Sequence, residues 1–304
     1  MKKIYIVILG CTLIGLLPAN AQEIEFAWTR KPVGASSTGM AGTGVLCDDY
    51  YAWAAFGSAA MPVLSNQKFA GGAGYSFEPF SKTNNTLIGV SGKLDKRLLL
   101  CGGASYSFMP KYDVFDGTGI KTGEFAPWIM QLGLGVGIRI TKFLSIGANL
   151  KYAAESIATD ATYGALSGDI SLAFKLKGIR AGVGINSLGA DLKGGKVAGF
   201  PSSGKLTIGY DDTIVSGKLA LGAYLDSDYF FNNSSSAAAG LNIVALDMIS
   251  LRAGYRYSSV KAPLASYAST GIGLKLWGVS LDASYIFGSR TLKNSFSISL
   301  GYSF

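Results

Sequence analysis

From Ser295 to Phe304 the chain reads SFSISLGYSF, an unbroken alternation. Phe296, Ile298, Leu300, Tyr302 and Phe304 are apolar, and the residues between them are small or polar. Period-two alternation predicts a strand with one apolar face. The pattern recurs from Gln67 onward. Trp128, Met130, Leu132, Leu134, Val136, Ile138 and Ile140 oppose Gln131, Gly133, Gly135, Gly137 and Arg139. Ile249, Leu251, Ala253, Tyr255 and Tyr257 oppose Ser250, Arg252, Gly254 and Arg256. Segments of this kind fall near 67–77, 85–94, 97–108, 127–140, 143–155, 162–176, 178–186, 204–211, 214–225, 235–245, 248–258, 266–276, 278–287 and 294–304. These about fourteen strands, apolar on one face and polar or glycine on the other, predict an all-β fold: a transmembrane antiparallel β-barrel. Leu94–Arg97 and Leu276–Val279 read as tight turns, whereas 109–124, 187–203 and 226–234 read as longer extracellular loops.

Composition narrows the choice. Charged residues are 15% of the chain and mean hydropathy is +0.31, against about a quarter charged in soluble proteins. Beyond the N-terminus no apolar run approaches the roughly 18–20 residues of a spanning helix. A secreted β-sandwich is the competing reading. The chain has no His, which excludes His-based triads and most transition-metal sites. No nucleophile–base pair, carboxylate pair or metal constellation stands out, so the reading is non-enzymatic, with no cofactor. The formal charge of +8 includes Lys2 and Lys3. No basic cluster interleaved with aromatics marks a nucleic-acid partner.

Residues 1–21 read as a cleaved signal peptide: Lys2 and Lys3, an apolar stretch from Ile4 to Leu17, then Ala19-Asn20-Ala21. A lipoprotein box at Cys11 would leave too short an apolar region. Export to the outer membrane follows, with membrane lipid as the surroundings. Residues 22–66 lack alternation and are rich in Gly and Ala, with GASSTGMAGTGV and then DDYYAWAAF. They are expected to form a plug inside the lumen, with Gly39, Met40, Gly42, Asp48 and Asp49 as its marked positions; residues 67–304 form the barrel. A nucleotide loop is not supported, because neither Lys-Ser/Thr nor a strand-loop-helix context follows. Cys47 and Cys101 could pair or stay free.

The inward faces carry Arg139, Lys151, Asp169, Arg180, Arg252, Arg256, Lys275 and Asp282. One reading pairs these charges with each other and with Asp48 and Asp49, as buried charges require. The other lines an anion path with Arg252 and Arg256, two apart on one strand. Tyr152, Tyr255, Tyr257, Tyr285, Tyr302 and Phe304 suit interfacial girdles. Phe108, Met109, Tyr112, Phe115, Tyr229 and Phe231, placed on loops, either anchor a protein partner or pack over the barrel mouth.

A family resemblance joins these segments. The Gly34–Val45 run followed by Asp48-Asp49, then APWIMQLGLGVGIRITKFLSIGANLKY, INSLG, FPSSGKLTIGY and ISLRAGYRYSS occur in order. Together they resemble the PorV/PorQ family of Bacteroidota outer-membrane proteins, a branch of the FadL-like barrels. The resemblance implies a fourteen-stranded barrel with an N-terminal plug. It also implies an accessory or cargo-shuttling role beside the type IX secretion system, with other secretion or outer-membrane assembly proteins as partners. The alternative it implies is passive transport of a hydrophobic ligand. Tyr302 and Phe304 resemble the C-terminal signal that barrel-assembly machinery recognises. One departure is the plug stretch Phe56-Gly57-Ser58-Ala59-Ala60, where FadL-like proteins usually carry Asn-Pro-Ala.

Overall fold

The computed structural model describes residues 26–159, 161–191, 199–216 and 218–304; the signal-peptide segment lies outside them. Sixteen strands follow in order: β1 (Phe69–Glu78), β2 (Thr83–Lys93), β3 (Leu98–Phe108), β4 (Tyr112–Phe115), β5 (Lys121–Phe125), β6 (Trp128–Arg139), β7 (Leu144–Ala158) and β8 (Ala161–Leu176). They continue with β9 (Ile179–Asp191), β10 (Ser203–Val215), β11 (Leu219–Phe230), β12 (Ser234–Ala245), β13 (Ile249–Ser258), β14 (Tyr267–Leu276), β15 (Val279–Phe287) and β16 (Phe296–Ser303). Fourteen of them close a barrel in which each strand lies beside its sequence neighbour, β3 meets β6, and β16 returns to β1. All the pairings are antiparallel. The fourteen alternating segments are these fourteen strands.

Alternation sets inside and outside. Leu134, Ile170, Leu225, Leu251, Tyr255 and Ile272 are exposed on the outer wall, while Gln131, Asp169, Asp226, Arg252 and Arg256 are buried on the inner. Short connections of two to four residues close one end, as between β14 and β15. Trp277 and Gly278 both take positive φ (49° and 84°), as the hairpin turns whose twist matches the strands require. At this end the last residue completes the ring: the Phe304 carbonyl accepts from the Lys68 and Phe69 N–H groups at 2.7 and 3.2 Å. Its ring stacks on Phe69, 5.6 Å between centroids.

The opposite end carries the longer connections, and here three expected loops are corrected. The 109–124 stretch contains the β4–β5 hairpin. Residues 187–191 prolong β9 along β8. Residues 226–230 prolong β11, leaving 231–233 as a tight turn before β12. The acidic, Ser-rich composition that reads as loop at 226–234 is instead lumen chemistry: Asp226 and Asp228 point inward, and Leu225, Ser227 and Tyr229 continue the outer row. Tyr229 is therefore a wall residue, its hydroxyl donating to Asn233 at 3.0 Å, and Phe231 is half-buried in the turn.

The apolar core lies inside the ring. It is the N-terminal segment itself: Tyr50, Tyr51, Trp53, Ala54, Ala55, Phe56, Ala59, Ala60, Met61 and Val63 are all buried. Glycines on the inner wall admit it. A Cβ at Gly137 would stand 2.1 Å from the Ala59 carbonyl oxygen, and one at Gly147 would stand 2.4 Å from the Ala60 nitrogen. Only glycine permits such backbone approach.

Candidate functional site

The lumen is the candidate site, and its two ends differ. Toward the tight turns, the segment is held by polar side chains reaching from the wall to its backbone. Ser145 Oγ donates to the Ala60 carbonyl at 2.7 Å and Ser91 Oγ to that of Tyr51 at 2.8 Å. Asn149 grips both sides of the turn that replaces Asn-Pro-Ala, donating to the Ala54 carbonyl at 2.7 Å and accepting from the Ala59 N–H at 3.2 Å. Arg139 donates to the Val63 carbonyl at 2.5 Å, so its partner is a backbone group and not a carboxylate.

Asp48 and Asp49 diverge at this end. Asp48 meets Arg180 at 3.1 Å and Lys175 at 3.6 Å; Arg180 also meets Asp211 at 2.5 Å and the Leu46 carbonyl at 2.6 Å. Asp49 meets Arg252 at 3.0 Å, and Arg252 meets Asp282 at 2.6 Å. Burial alone would raise the Asp48 carboxyl, but Arg180 and Lys175 outweigh it and hold it below its ordinary value. Lys275 lines a cavity of about 30 Å³ with Asp49 and Asp282. The two adjacent carboxylates therefore brace the segment against two different sectors of the ring.

Toward the loops the contacts change. Lys31 meets Glu78 at 2.7 Å, Trp28 Nε1 donates to Glu155 at 2.6 Å, and Arg30 pairs with Asp228. Arg256 donates to the Ala41 carbonyl at 3.1 Å and to Ser236 at 3.0 Å, with Asp228 at 3.6 Å. With Arg252 and Arg256 both engaged in this way, the geometry favours pairing over a free anion path. Gly42, φ +79°, lies against Arg256 and Tyr267, and the Gly39 and Gly271 backbones face each other. Met40 is buried with Cys47 and Tyr224. Cys47 and Cys101 are both free and buried, in separate clusters; burial pushes the Cys47 thiol well up.

Two cavities open at this end, about 110 Å³ and 70 Å³. Thr29, Lys31, Pro32 and Val33 line both and so form the partition between them. The smaller is walled by Leu87, Ile129, Ile286 and Leu292. Ile129, Leu87 and Ile286 are buried apolar residues on inward rows, and Leu99, also inward, belongs to the segment's core. The larger has Val33, Val45, Leu46 and Phe56 on its apolar side. Its charged side shows five cations, Arg30, Lys31, Lys151, Lys205 and Arg256, and one acid, Asp228. The carboxylates that pair with Lys151 and Lys205, Asp169 at 2.5 Å and Asp226 at 2.7 Å, do not line it.

Beside this cavity the wall's strand pairing breaks off among the described residues. Pairing of β9 with β10 stops at Asn186↔Ser203, yet β9 runs on to Asp191. A register shift opposite Gly168 and Ile170 accompanies Ser187 at φ +58°, whose N–H donates to Asp169 at 2.7 Å. Residues 200–202 cover the strip. Ser202 Oγ donates to the Ser187 carbonyl at 2.6 Å, and the buried Phe200 stacks on Phe26 at 4.9 Å. Sequence reasoning missed Phe26, Phe200, Lys205, Asp226 and Asp228. Asp226 and Asp228, two apart and facing Lys205, carried the signal within a stretch that reads as loop.

Of the residues expected on loops, Phe108 lies on the outer wall, Met109 follows it half-buried, and Tyr112 and Phe115 are exposed on the β4–β5 hairpin. Tyr302, also on the outer wall, lies beside Phe304.

No protein-family model and no curated protein matches the chain. Solved structures do. A Pseudomonas aeruginosa FadL homologue is similar over 93% of this chain and 99% of its own, with TM-score 0.56 and 12% identity. The Ralstonia pickettii toluene transporter TbuX is similar over 91% and 99%, with TM-score 0.58 and 10% identity. The Pseudomonas putida toluene transporter TodX is similar over 90% and 98%, with TM-score 0.56 and 14% identity. The fold is that of the FadL-like outer-membrane barrels.

Proposed function

We propose that this protein is a passive outer-membrane transporter of compact hydrophobic molecules. The observation that carries this reading is the covered strip between β9 and β10, next to a cavity, above a lumen whose other end is filled. A molecule entering from the loop side has the strip as its outlet, sideways into the membrane, if Phe200 swings from Phe26. The known transporters of this fold, named for toluene, make small hydrophobic substrates the natural starting point. At about 110 Å³ the cavity is smaller than the roughly 150 Å³ that takes up benzene, so entry requires the 29–33 partition or the Phe26–Phe200 pair to yield.

The test is uptake of radiolabelled toluene by cells producing the full chain. Phe200→Ala is expected to raise the rate several-fold, and joining Phe26→Cys to Phe200→Cys by a disulfide to lower it to background. Uptake equal to that of cells lacking the protein, in every variant, sinks the proposal. A second reading, the accessory subunit of a secretion complex, is favoured by the exposed Tyr112, Phe115 and Ile120 of the β4–β5 hairpin and its connection. Crosslinked purification from outer membranes that recovers a stoichiometric partner, lost on deleting 111–125, supports it.

A further inference from the structure

The charges on the loop rim are unevenly partnered. On the β4–β5 hairpin, cations have carboxylates at hand: Lys121 meets Asp113 at 2.7 Å and Glu124 at 3.2 Å, and Lys111 meets Glu124 at 3.9 Å. A different sector, made by the β13–β14, β15–β16 and β1–β2 connections, carries Lys261, Arg290, Lys293 and Lys82. These connections are neighbours round the ring, because β13, β14, β15, β16, β1 and β2 are consecutive. All four cations are exposed, and among the described residues none has a carboxylate within 4.0 Å. Two acids near these connections are buried and already taken, Glu78 by Lys31 and Asp228 by Arg30 and Arg256.

The sector is also ordered. Leu292 is buried against Tyr267, Ile286 and Leu264, and so pins the connection that carries Arg290 and Lys293. Ser289 Oγ accepts the N–H groups of Thr291 at 3.3 Å and Leu292 at 3.1 Å. Asn232 Nδ2 donates to the Lys261 carbonyl at 3.0 Å. Beside these residues, outer-wall tyrosines donate to asparagines: Tyr75 to Asn84 at the start of β2 at 2.6 Å, and Tyr285 to Asn294 in the β15–β16 connection at 2.9 Å. Tyr75 and Phe77 also meet Phe296. A tyrosine belt of this kind marks the membrane–water interface. The four cations lie on the connections that follow these strands.

We propose that this sector binds the phosphate groups of a phosphorylated lipid of the outer leaflet. Cations held in place, left unpaired and set beside an aromatic belt match an anionic headgroup whose chains lie along Tyr75, Phe296 and Tyr285. The hairpin sector, with its charges already paired, does not.

Lipid A serves as the probe, titrated against the full chain purified in a nonionic detergent. Replacing Lys82, Lys261, Arg290 and Lys293 together by Gln is expected to weaken binding about tenfold or more. Raising the salt is expected to weaken the parent toward the variant, and Lys111→Gln with Lys121→Gln to leave binding unchanged. The variant's barrel is checked by its far-ultraviolet circular dichroism, since exposed Lys→Gln changes leave the fold intact. Equal binding of dephosphorylated lipid A, or of phosphatidylglycerol as tightly as lipid A, overturns the proposal. So does a quadruple variant that binds like the parent.

Discussion

Near the tight turns the wall meets the N-terminal segment chiefly through glycine; near the loops charge joins glycine contacts such as Gly254 on Met40. Gly89, Gly133, Gly137 and Gly147 leave no room for a Cβ before the backbone of residues 52–60, and that half of the lumen is packed solid. Arg30, Lys31 and Arg256 instead reach across with long side chains, to Asp228, Glu78 and the Ala41 carbonyl, and the cavities of about 110 and 70 Å³ lie among and beside them. The exception follows the same rule. Where Asp48, Asp49, Lys275 and Asp282 gather at the tight-turn end, a small cavity of about 30 Å³ appears. Glycine brings backbones into contact and seals, whereas paired charges hold surfaces apart and leave space.

Breaking the charged brace tests that rule most severely. Arg252→Ala strands Asp49 and Asp282, and Arg252 is 2% exposed. Removing one partner of a buried pair costs about 3–5 kcal/mol, and Asp49, about 30% exposed, places the expected loss near the lower end. The guanidinium-chloride unfolding midpoint should fall accordingly, with Arg252→Lys recovering part of it. An unchanged midpoint would mean that glycine packing alone holds the segment.

The seal itself is probed by Gly137→Ala. Its methyl group would collide with the Ala59 carbonyl, at a cost of about 1–3 kcal/mol for overpacking. The control is Gly123→Ala on the β4–β5 hairpin, where nothing lies within 4 Å. Equal effects at the two sites would remove the seal from the comparison.

These contrasts also show what a sequence displays. Alternation over the fourteen barrel strands is legible because each has one face in lipid and one in the lumen, so the period is enforced along its length. The glycines of the inner rows are visible as well, although not which backbone each meets. What alternation hides is a strand whose lumen face is acidic, as at Asp226 and Asp228, because composition there imitates a loop. The bulge at Ser187 hides too, since one added residue inverts the alternation and ends the pattern early. Pairing partners such as Asp49 with Arg252, 203 positions apart, depend on how the segment threads the ring, which no local pattern encodes.

Acid sharpens the comparison with a smaller effect. The folded Asp48 carboxyl titrates below its unfolded value of about 3.9. Its contribution is therefore complete above that value and is lost as pH falls through the folded one. Stability should drop on going from about pH 4 toward pH 2, and Asp48→Asn should flatten that limb while lowering stability at neutral pH. The readout is the unfolding midpoint against pH. An acid limb identical in Asp48→Asn would assign it to other carboxylates.

The smallest effect belongs to charge pairs that hold nothing apart. Lys121 meets Asp113 and Glu124 on the β4–β5 hairpin, with all three side chains roughly half exposed. Exposed pairs contribute about 0–1 kcal/mol because water and salt screen them, and no buried surface lies behind this one. Lys121→Ala should leave the unfolding midpoint within error of the parent, and added salt should not separate the two. A loss comparable to that of Arg252→Ala would make the hairpin part of the barrel's cooperative unit. The difference between the lumen's charges and its rim's would then lie in position along the chain, and not in burial.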